Sequence, residues 1–177
     1  MEDAISERVT GFASESASVR QRDISGNRES LFSGGMAIAW ALAAVAVLLQ
    51  MLTNGRYGYF RDELYYFATG DHLTWGYVDF APLAALLIHV SRAVFGDSLH
   101  AVRLLPALAG GALIVLTGLI ARELGGKKFA AFLACVSVLV APVILVNTNR
   151  FSMNAFEPLF WMGCIYFLLL AFIRNQP

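Results

Sequence analysis

The chain has 177 residues, of which 58% are hydrophobic and only 15% are charged, and its mean hydropathy is +0.61. Soluble domains average about 45–50% apolar and about 25% charged residues, so this composition excludes an ordinary soluble domain and indicates a protein that folds in a lipid bilayer. The formal net charge is zero, which gives no electrostatic basis for nucleic-acid binding.

The chain begins with a polar segment and continues into an apolar one. Residues 1–30 are rich in Ser, Arg and Glu without sustained apolar periodicity, and they predict a mostly disordered cytoplasmic tail. Residues 31–52 follow as 22 residues without a charged side chain. At about 1.5 Å per residue this run can cross the hydrocarbon core, and it is too long for the apolar part of a signal peptide. It predicts a first, retained membrane helix.

Further apolar runs predict three more membrane helices, at residues 101–121, 129–147 and 155–173. Gly110 and Gly111 lie in the first of these runs and would permit the close approach of a neighbouring helix. Cys135 and Cys164 lie in the other two, match no zinc-binding spacing, and are interpreted as packing residues. The predicted fold class is therefore an all-α membrane protein with four spans and a long outer loop.

The orientation is predicted from basic residues that fall on one side of these spans, namely Arg20, Arg22, Arg28, Arg122, Lys127, Lys128 and Arg174. Lys and Arg concentrate in cytoplasmic loops, so this side and the N-terminus are expected in the cytoplasm. Residues 53–100 and the short turn 148–152 would then lie outside. The outer loop also carries Arg56, Arg61 and Arg92, so the charge bias is moderate.

Two short helices are predicted within the outer loop, at residues 61–70 and 82–95. In the second, apolar residues recur with helical spacing at positions 83, 86, 87, 90 and 94. At about 14 residues with an internal Arg92, this helix is too short and too polar to span, so we expect it to lie in the interface plane.

The first candidate site is an acidic pair at the start of the first outer helix. Asp62 would share a helix face with Tyr65, Tyr66 and Thr69, and it is followed directly by Glu63. A carboxylate on an aromatic face suits sugar chemistry, because the carboxylate can take a hydroxyl proton. Alternatively, the two acids cap the N-terminus of the helix, where negative charge is favourable, and the aromatic residues form an interfacial belt.

The second candidate site opens the fourth span on the same side. Asn154 and Glu157 are three residues apart and would stack on one helix face. They could reach the cavity of Asp62, or they could form an Asn-x-x-Glu capping box with Asn154 as N-cap. These two interpretations are not exclusive, and ionisable groups at membrane depth are usually functional.

Arg103, near the outer end of the second span, could bind a phosphate or could snorkel to the interface.

The histidines, at positions 72, 89 and 100, fit no metal-binding spacing, and the sequence has no phosphate-cradling glycine loop, nucleophile elbow or HExxH. We therefore assign no metal ligand and expect no cofactor, although dependence on a divalent cation stays open.

Several runs in order along the chain resemble bacterial members of glycosyltransferase family 39: Tyr59–Tyr66, Trp75–Leu83, Phe95–Ser98 and Arg103–Gly110. This group is similar to the dolichyl-phosphate-mannose protein mannosyltransferases and the lipid A aminoarabinose transferases. The similarity extends over residues 31–173.

The resemblance implies a GT-C fold in the inner (plasma) membrane and a hexosyl- or pentosyltransferase with a polyprenyl-phosphate sugar as donor. It implies that Asp62 is the general base on the acceptor hydroxyl, with Glu63 as its orienting neighbour. Asp79 and Arg103 match motif positions, and a second site acid is expected where this chain has Asn154 and Glu157.

Members of this group usually continue beyond a fourth membrane helix. A truncated enzyme is therefore expected, which would need further C-terminal helices or a second subunit. The alternative function is an inactive membrane scaffold or partner subunit. Membrane lipid and the lipid-linked donor are the expected partners in the enzymatic interpretation, with Tyr66 among the substrate-binding residues.

Overall fold

The computed structural model of the chain describes residues 34–174, so the predicted tail at residues 1–30 lies outside the described part. The helices are α1 Gly34–Thr53, α2 Arg61–Asp71, α3 Pro82–Phe95, α4 Leu99–Glu123, α5 Lys128–Leu139, α6 Pro142–Thr148 and α7 Glu157–Arg174, with a short 3₁₀ turn at Met153–Ala155 before α7. All regular secondary structure between residues 34 and 174 is helical, which confirms the predicted all-α class.

Three segments are long and apolar enough to cross a membrane: Gly35–Thr53, Leu99–Glu123 and Met153–Ile173. The third predicted span, over residues 129–147, is formed by two helices, α5 and α6. The chain is bent there by 60° between α5 and α6. Pro142 has no N–H and its ring clashes with the preceding helical turn, so α5 ends at Leu139 and a new helix begins at Pro142. The described chain thus has three spans, or four if the bent pair counts as one.

Close contacts between α1, α4 and α5 form the core at the level of the spans. A Cβ atom on Gly111 would lie 2.9 Å from a Val47 methyl group, and one on Gly118 would lie 2.9 Å from the Ala39 Cβ. Glycine therefore lets the backbone of α4 approach α1, as is common between membrane helices. The core residues are Met36, Ala39, Ala43, Ala46, Ile114, Val115 and Cys135.

The outer loop folds into two helices whose bounds agree with the prediction to within one residue. α3 buries Ala84, Ala85, Ile88 and Ser91. The apolar residues at positions 83, 86, 90 and 94 are exposed, and the location of α3 in the interface plane stays a prediction.

Polar contacts attach α3 to α2 and to the segment that precedes α4. The Gly70 carbonyl lies 2.9 Å from the His89 Nδ1 atom. Arg92 pairs with Asp71 at 2.7 Å and with Asp97 at 2.5 Å, and its guanidinium covers the Phe67 ring. The helices α2 and α3 and the start of α4 therefore form one packed layer.

Candidate active site

The centre of the layer formed by α2, α3 and the start of α4 is a buried ion pair between α2 and α4. The Arg103 Nε donates to one carboxylate oxygen of Glu63 at 2.8 Å, and Nη2 donates to the other at 2.6 Å. The two residues are 3% and 0% exposed. The backbone N–H groups of Phe60 and Phe151 also donate to this carboxylate, each at 2.9 Å. The carboxylate of Glu63 is therefore fully satisfied inside the protein.

The remaining donors of Arg103 bind the backbone between α1 and α2. Nη2 donates to the Gly58 carbonyl at 2.9 Å, and Nη1 donates to the carbonyls of Asn54 and Tyr57. A guanidinium has five N–H donors, and all are occupied here. Both roles expected for Arg103, phosphate binding and snorkelling, require an open guanidinium, so the structure corrects them: Arg103 lies inside the protein and holds the loop 54–58.

The pKa of Glu63 follows from these contacts. Burial by itself raises the pKa of a carboxyl group, because it disfavours the charged form. The hydrogen bonds from Arg103 and from the backbone of Phe60 and Phe151 outweigh burial and hold the pKa of Glu63 below its ordinary value. Glu63 is therefore ionised at neutral pH and shielded from substrate. It also caps the N-terminus of α2 by accepting the backbone N–H of Phe60, as the alternative interpretation expected.

Asp62 is placed differently, although it is the next residue on the same helix. Its side chain is 50% exposed, and its contact with the exposed Arg61 is long, at 3.4 Å. It precedes Glu63 in the first turn of α2, so the ion pair fixes the backbone on which Asp62 stands. Of the two acids, Asp62 is the one that a substrate can reach.

The aromatic face predicted beside Asp62 divides into a buried and an exposed part. Tyr66 is 6% exposed, its ring packs against Phe80 and Phe151, and its hydroxyl accepts the N–H of Met153 at 3.2 Å. Tyr65 is exposed and donates to the Asp79 carboxylate at 3.3 Å. Thus Tyr66 holds the turn before α7, whereas Tyr65 and Asp79 remain accessible.

The predicted capping box at the start of the last span is wrong. α7 begins at Glu157, and the 3₁₀ turn Met153–Ala155 precedes it, so Asn154 is not the N-cap and Glu157 is not the third helical residue. Both side chains are exposed. Glu157 lines an apolar groove of about 340 Å³ together with Ala81, Leu83, Ala84, Leu87, Met153, Phe156, Phe160, Trp161 and Cys164.

The two predicted sites are in direct contact through the backbone of the turn 149–153. Phe151 N–H donates to Glu63 and Met153 N–H donates to Tyr66, so the turn lies against α2. The groove lined by Glu157, however, is not lined by Asp62. The structure therefore brings the turn to the acidic pair, while a shared pocket for Asp62 and Glu157 stays a prediction.

One residue at this contact was not selected from the sequence. The guanidinium of Arg150 lies over the Phe60 ring, 4.4 Å from its centroid, and is partly exposed. The sequence did contain a signal for Arg150: it is a basic residue in the short turn expected on the outer side, whereas most basic residues fall on the expected cytoplasmic side.

A family model described as dolichyl-phosphate-mannose-protein mannosyltransferase matches residues 79–177, more than half of the chain. The chain belongs to this family. Membership and the apolar helices together identify a membrane protein of the GT-C type, from a family of glycosyltransferases. The match includes Asp79, Arg103, Asn154 and Glu157, whereas the acidic pair lies before it. No curated protein and no solved structure matches the chain.

Proposed function

We propose that this chain takes part in transferring a sugar from a polyprenyl-phosphate donor to a hydroxyl acceptor on the extracytoplasmic side of the plasma membrane, with Asp62 as general base. The observation that carries this proposal is the contrast between neighbouring acids. Asp62 is half exposed, whereas Glu63 is buried in an ion pair. Family membership supplies the class of reaction.

The proposed reaction is a single displacement at the anomeric carbon. The Asp62 carboxylate takes the acceptor proton while the acceptor oxygen forms its bond to that carbon. The bond from the carbon to the phosphate oxygen breaks, and the lipid phosphate leaves with the electron pair. This outcome inverts the anomeric configuration. A phosphate is a good leaving group without protonation, so electrostatic stabilisation of its charge is sufficient.

Glu63 and Arg103 act in this proposal as positioning residues. Their pair joins the first turn of α2, the loop 54–58 and the turn before α7. A base must be held within hydrogen-bond reach of its proton, and small displacements lower the rate strongly. Tyr66 contributes to the same support through the N–H of Met153.

The exposed polar residues around the support are assigned to substrate binding. Asp79 and its partner Tyr65 lie on the accessible side of the Tyr66–Phe80 aromatic cluster. Glu157 provides a carboxylate in the apolar groove next to α3, and Asn154 lies in the preceding turn. A sugar acceptor or donor would contact these groups by its hydroxyls.

The second candidate function is a membrane scaffold or partner subunit without catalysis of its own. This function is favoured by the exposure of the last span, Met153–Ile173, because only 6% of its apolar window is buried in the described structure. Other helices could cover this surface. In this case the site residues would still pack as they do, but their substitution would leave sugar transfer unchanged.

The test compares Asp62→Asn with Glu123→Gln, an acid at the opposite end of α4 that is far from the proposed site, in membranes that contain the full chain and a labelled polyprenyl-phosphate sugar. General-base catalysis contributes about 10²- to 10⁴-fold. We expect kcat to fall by about that factor for Asp62→Asn and to change little for Glu123→Gln. Undiminished transfer with Asp62→Asn would exclude the base assignment and favour the scaffold.

A further inference from the structure

The turn before α7 presents an arginine whose charge is not neutralised by the described protein. Within residues 34–174, ion pairs involve Arg61, Arg92 and Arg103, and Arg150 is in none of them. It lies at the outer end of the chain's bent third segment and is only partly exposed. A partly buried guanidinium without a counter-charge among the described residues is suited to bind an anionic ligand.

Arg150 contacts Phe60 by a cation–π interaction, in which the guanidinium carbon lies over the ring, 4.4 Å from its centroid. This contact uses the charge of the guanidinium and none of its N–H donors. Within residues 34–174 the Arg150 side chain makes no hydrogen bond, whereas its neighbours Asn149 and Phe151 each make one. This differs from Arg103, whose donors are all occupied by Glu63 and by backbone carbonyls.

The backbone on both sides of Arg150 is held in place. The Asn149 side chain donates to the Thr53 hydroxyl at 3.3 Å, and Phe151 N–H donates to Glu63 at 2.9 Å. Two residues further on, Met153 N–H donates to Tyr66 at 3.2 Å. A preorganised side chain loses less conformational entropy on binding, which increases affinity.

The position of Arg150 relates it directly to the proposed base. Phe60, the ring beneath Arg150, immediately precedes α2 and donates its N–H to Glu63. Asp62 stands two residues beyond Phe60 in the first turn. Arg150 contacts the residue that precedes α2, and Asp62 lies in the first turn of α2, so both residues are close to the start of the same helix.

We propose that Arg150, clamped on Phe60, is the residue that binds the phosphate group of the donor beside Asp62. A guanidinium matches two phosphate oxygens with parallel hydrogen bonds, and its charge would stabilise the phosphate as it leaves. This inference rests on the proposed function and deepens it. It moves the anion-binding role expected for Arg103 to a different arginine on a different element.

The test measures binding rather than turnover, so that it is independent of the base assignment. The full chain with Asp62→Asn, in nanodiscs, is titrated with labelled polyprenyl phosphate, and then with Arg150→Gln or Arg150→Lys added. A charge-assisted hydrogen bond contributes about 1.5–3 kcal/mol, and about 1.4 kcal/mol is tenfold in affinity. We expect Kd to rise about tenfold or more for Arg150→Gln and less for Arg150→Lys.

Two controls separate binding from folding. Arg56→Gln removes an exposed charge from the loop between α1 and α2, which also carries Phe60, and should leave Kd unchanged. Uncharged polyprenol should bind equally to the protein with and without Arg150→Gln, which shows that the variant is folded and that the phosphate is what Arg150 recognises. An unchanged Kd for polyprenyl phosphate with Arg150→Gln would overturn the inference.

A second arm distinguishes the two sources of the phosphate group. Inorganic phosphate is used as competitor against the labelled lipid. Displacement only at concentrations far above the lipid Kd assigns Arg150 to a lipid headgroup, whereas displacement at comparable concentrations assigns it to free phosphate. Loss of lipid binding in Asp62→Asn alone, with Arg150 intact, would count against the proposed function and not against the anion site.

Discussion

Glu63 and Arg103 form a two-bonded ion pair, at 2.6 and 2.8 Å, although they are 40 residues apart in the sequence. The pair is buried and its remaining hydrogen-bonding groups are all satisfied by backbone atoms from three segments. It therefore connects the first outer helix, the second span and the turn before the last span. The position of the accessible Asp62 depends on this connection.

Removing one member of the pair should destabilise the protein strongly. Breaking a buried ion pair costs about 3–5 kcal/mol, because the remaining charge is left without a partner in a dry environment. We expect Arg103→Leu to lower the free energy of unfolding by about that amount, measured by denaturant titration in detergent. Removing the exposed Arg61 should have a negligible effect. Equal stability of Arg103→Leu and the unmodified chain would show that the pair is not formed.

The same pair predicts an acid-sensitive fold. The pKa of Glu63 is held below its ordinary value of 4.5. The stabilisation is therefore fully present above pH 4.5 and is lost as the pH falls through the lower pKa of the folded state. The melting temperature of the unmodified chain should fall with pH below 4.5, and the fall should be smaller with Glu63→Gln. Parallel curves for the two proteins would contradict the assignment.

The helices could be predicted from the sequence because their signals are local. Apolar run length gave the spans, and Pro82 together with the spacing of apolar residues gave α3 at its observed bounds, Pro82–Phe95. The break in the third span was also signalled by Pro142, but the surrounding apolar residues concealed a 60° bend. Local hydropathy does not report direction, so a bent pair and a straight span have the same pattern.

The candidate site was predicted less completely, since its geometry depends on contacts distant in sequence. Asp62 and Glu63 have equivalent sequence surroundings, and only the approach of Arg103 and Phe151 distinguishes the buried acid from the exposed one. In sequence alone, an arginine near a helix end, such as Arg103, is compatible with binding a phosphate, with snorkelling to the interface or with forming a buried ion pair. Its burial is a property of the packed loop 54–58.

The close packing of α4 on α1 gives a matched pair of glycine substitutions. A Cβ atom on Gly118 would lie 2.9 Å from the Ala39 Cβ, whereas a Cβ atom on Gly163 in α7 would meet nothing within 4 Å. Overpacking costs about 1–3 kcal/mol, so Gly118→Ala should lower stability by about that amount. Gly163→Ala should be neutral or stabilising, because alanine favours the helix. A stabilising Gly118→Ala would contradict the helix packing described here.

The hydroxyl of Tyr66 should contribute through the turn that it holds. In Tyr66→Phe the ring remains in its aromatic cluster, but the N–H of Met153 loses its acceptor. A single net hydrogen bond contributes about 0.5–1.5 kcal/mol, so we expect a loss of about that size in unfolding free energy. Tyr65→Phe, at the exposed neighbouring position, serves as the control and should leave stability unchanged. Equal effects of the two variants would argue against a supporting role for Tyr66.

Chemical rescue tests most directly whether Asp62 is the group that takes the acceptor proton. In Asp62→Ala the side chain is removed at an exposed position, and added formate can enter and supply a carboxylate; in Glu63→Ala the missing group is enclosed by Arg103 and backbone atoms. We expect formate to restore part of the sugar transfer, in proportion to its concentration, for Asp62→Ala only. Transfer by Asp62→Ala at the unmodified rate, or rescue of Glu63→Ala instead, would contradict the account.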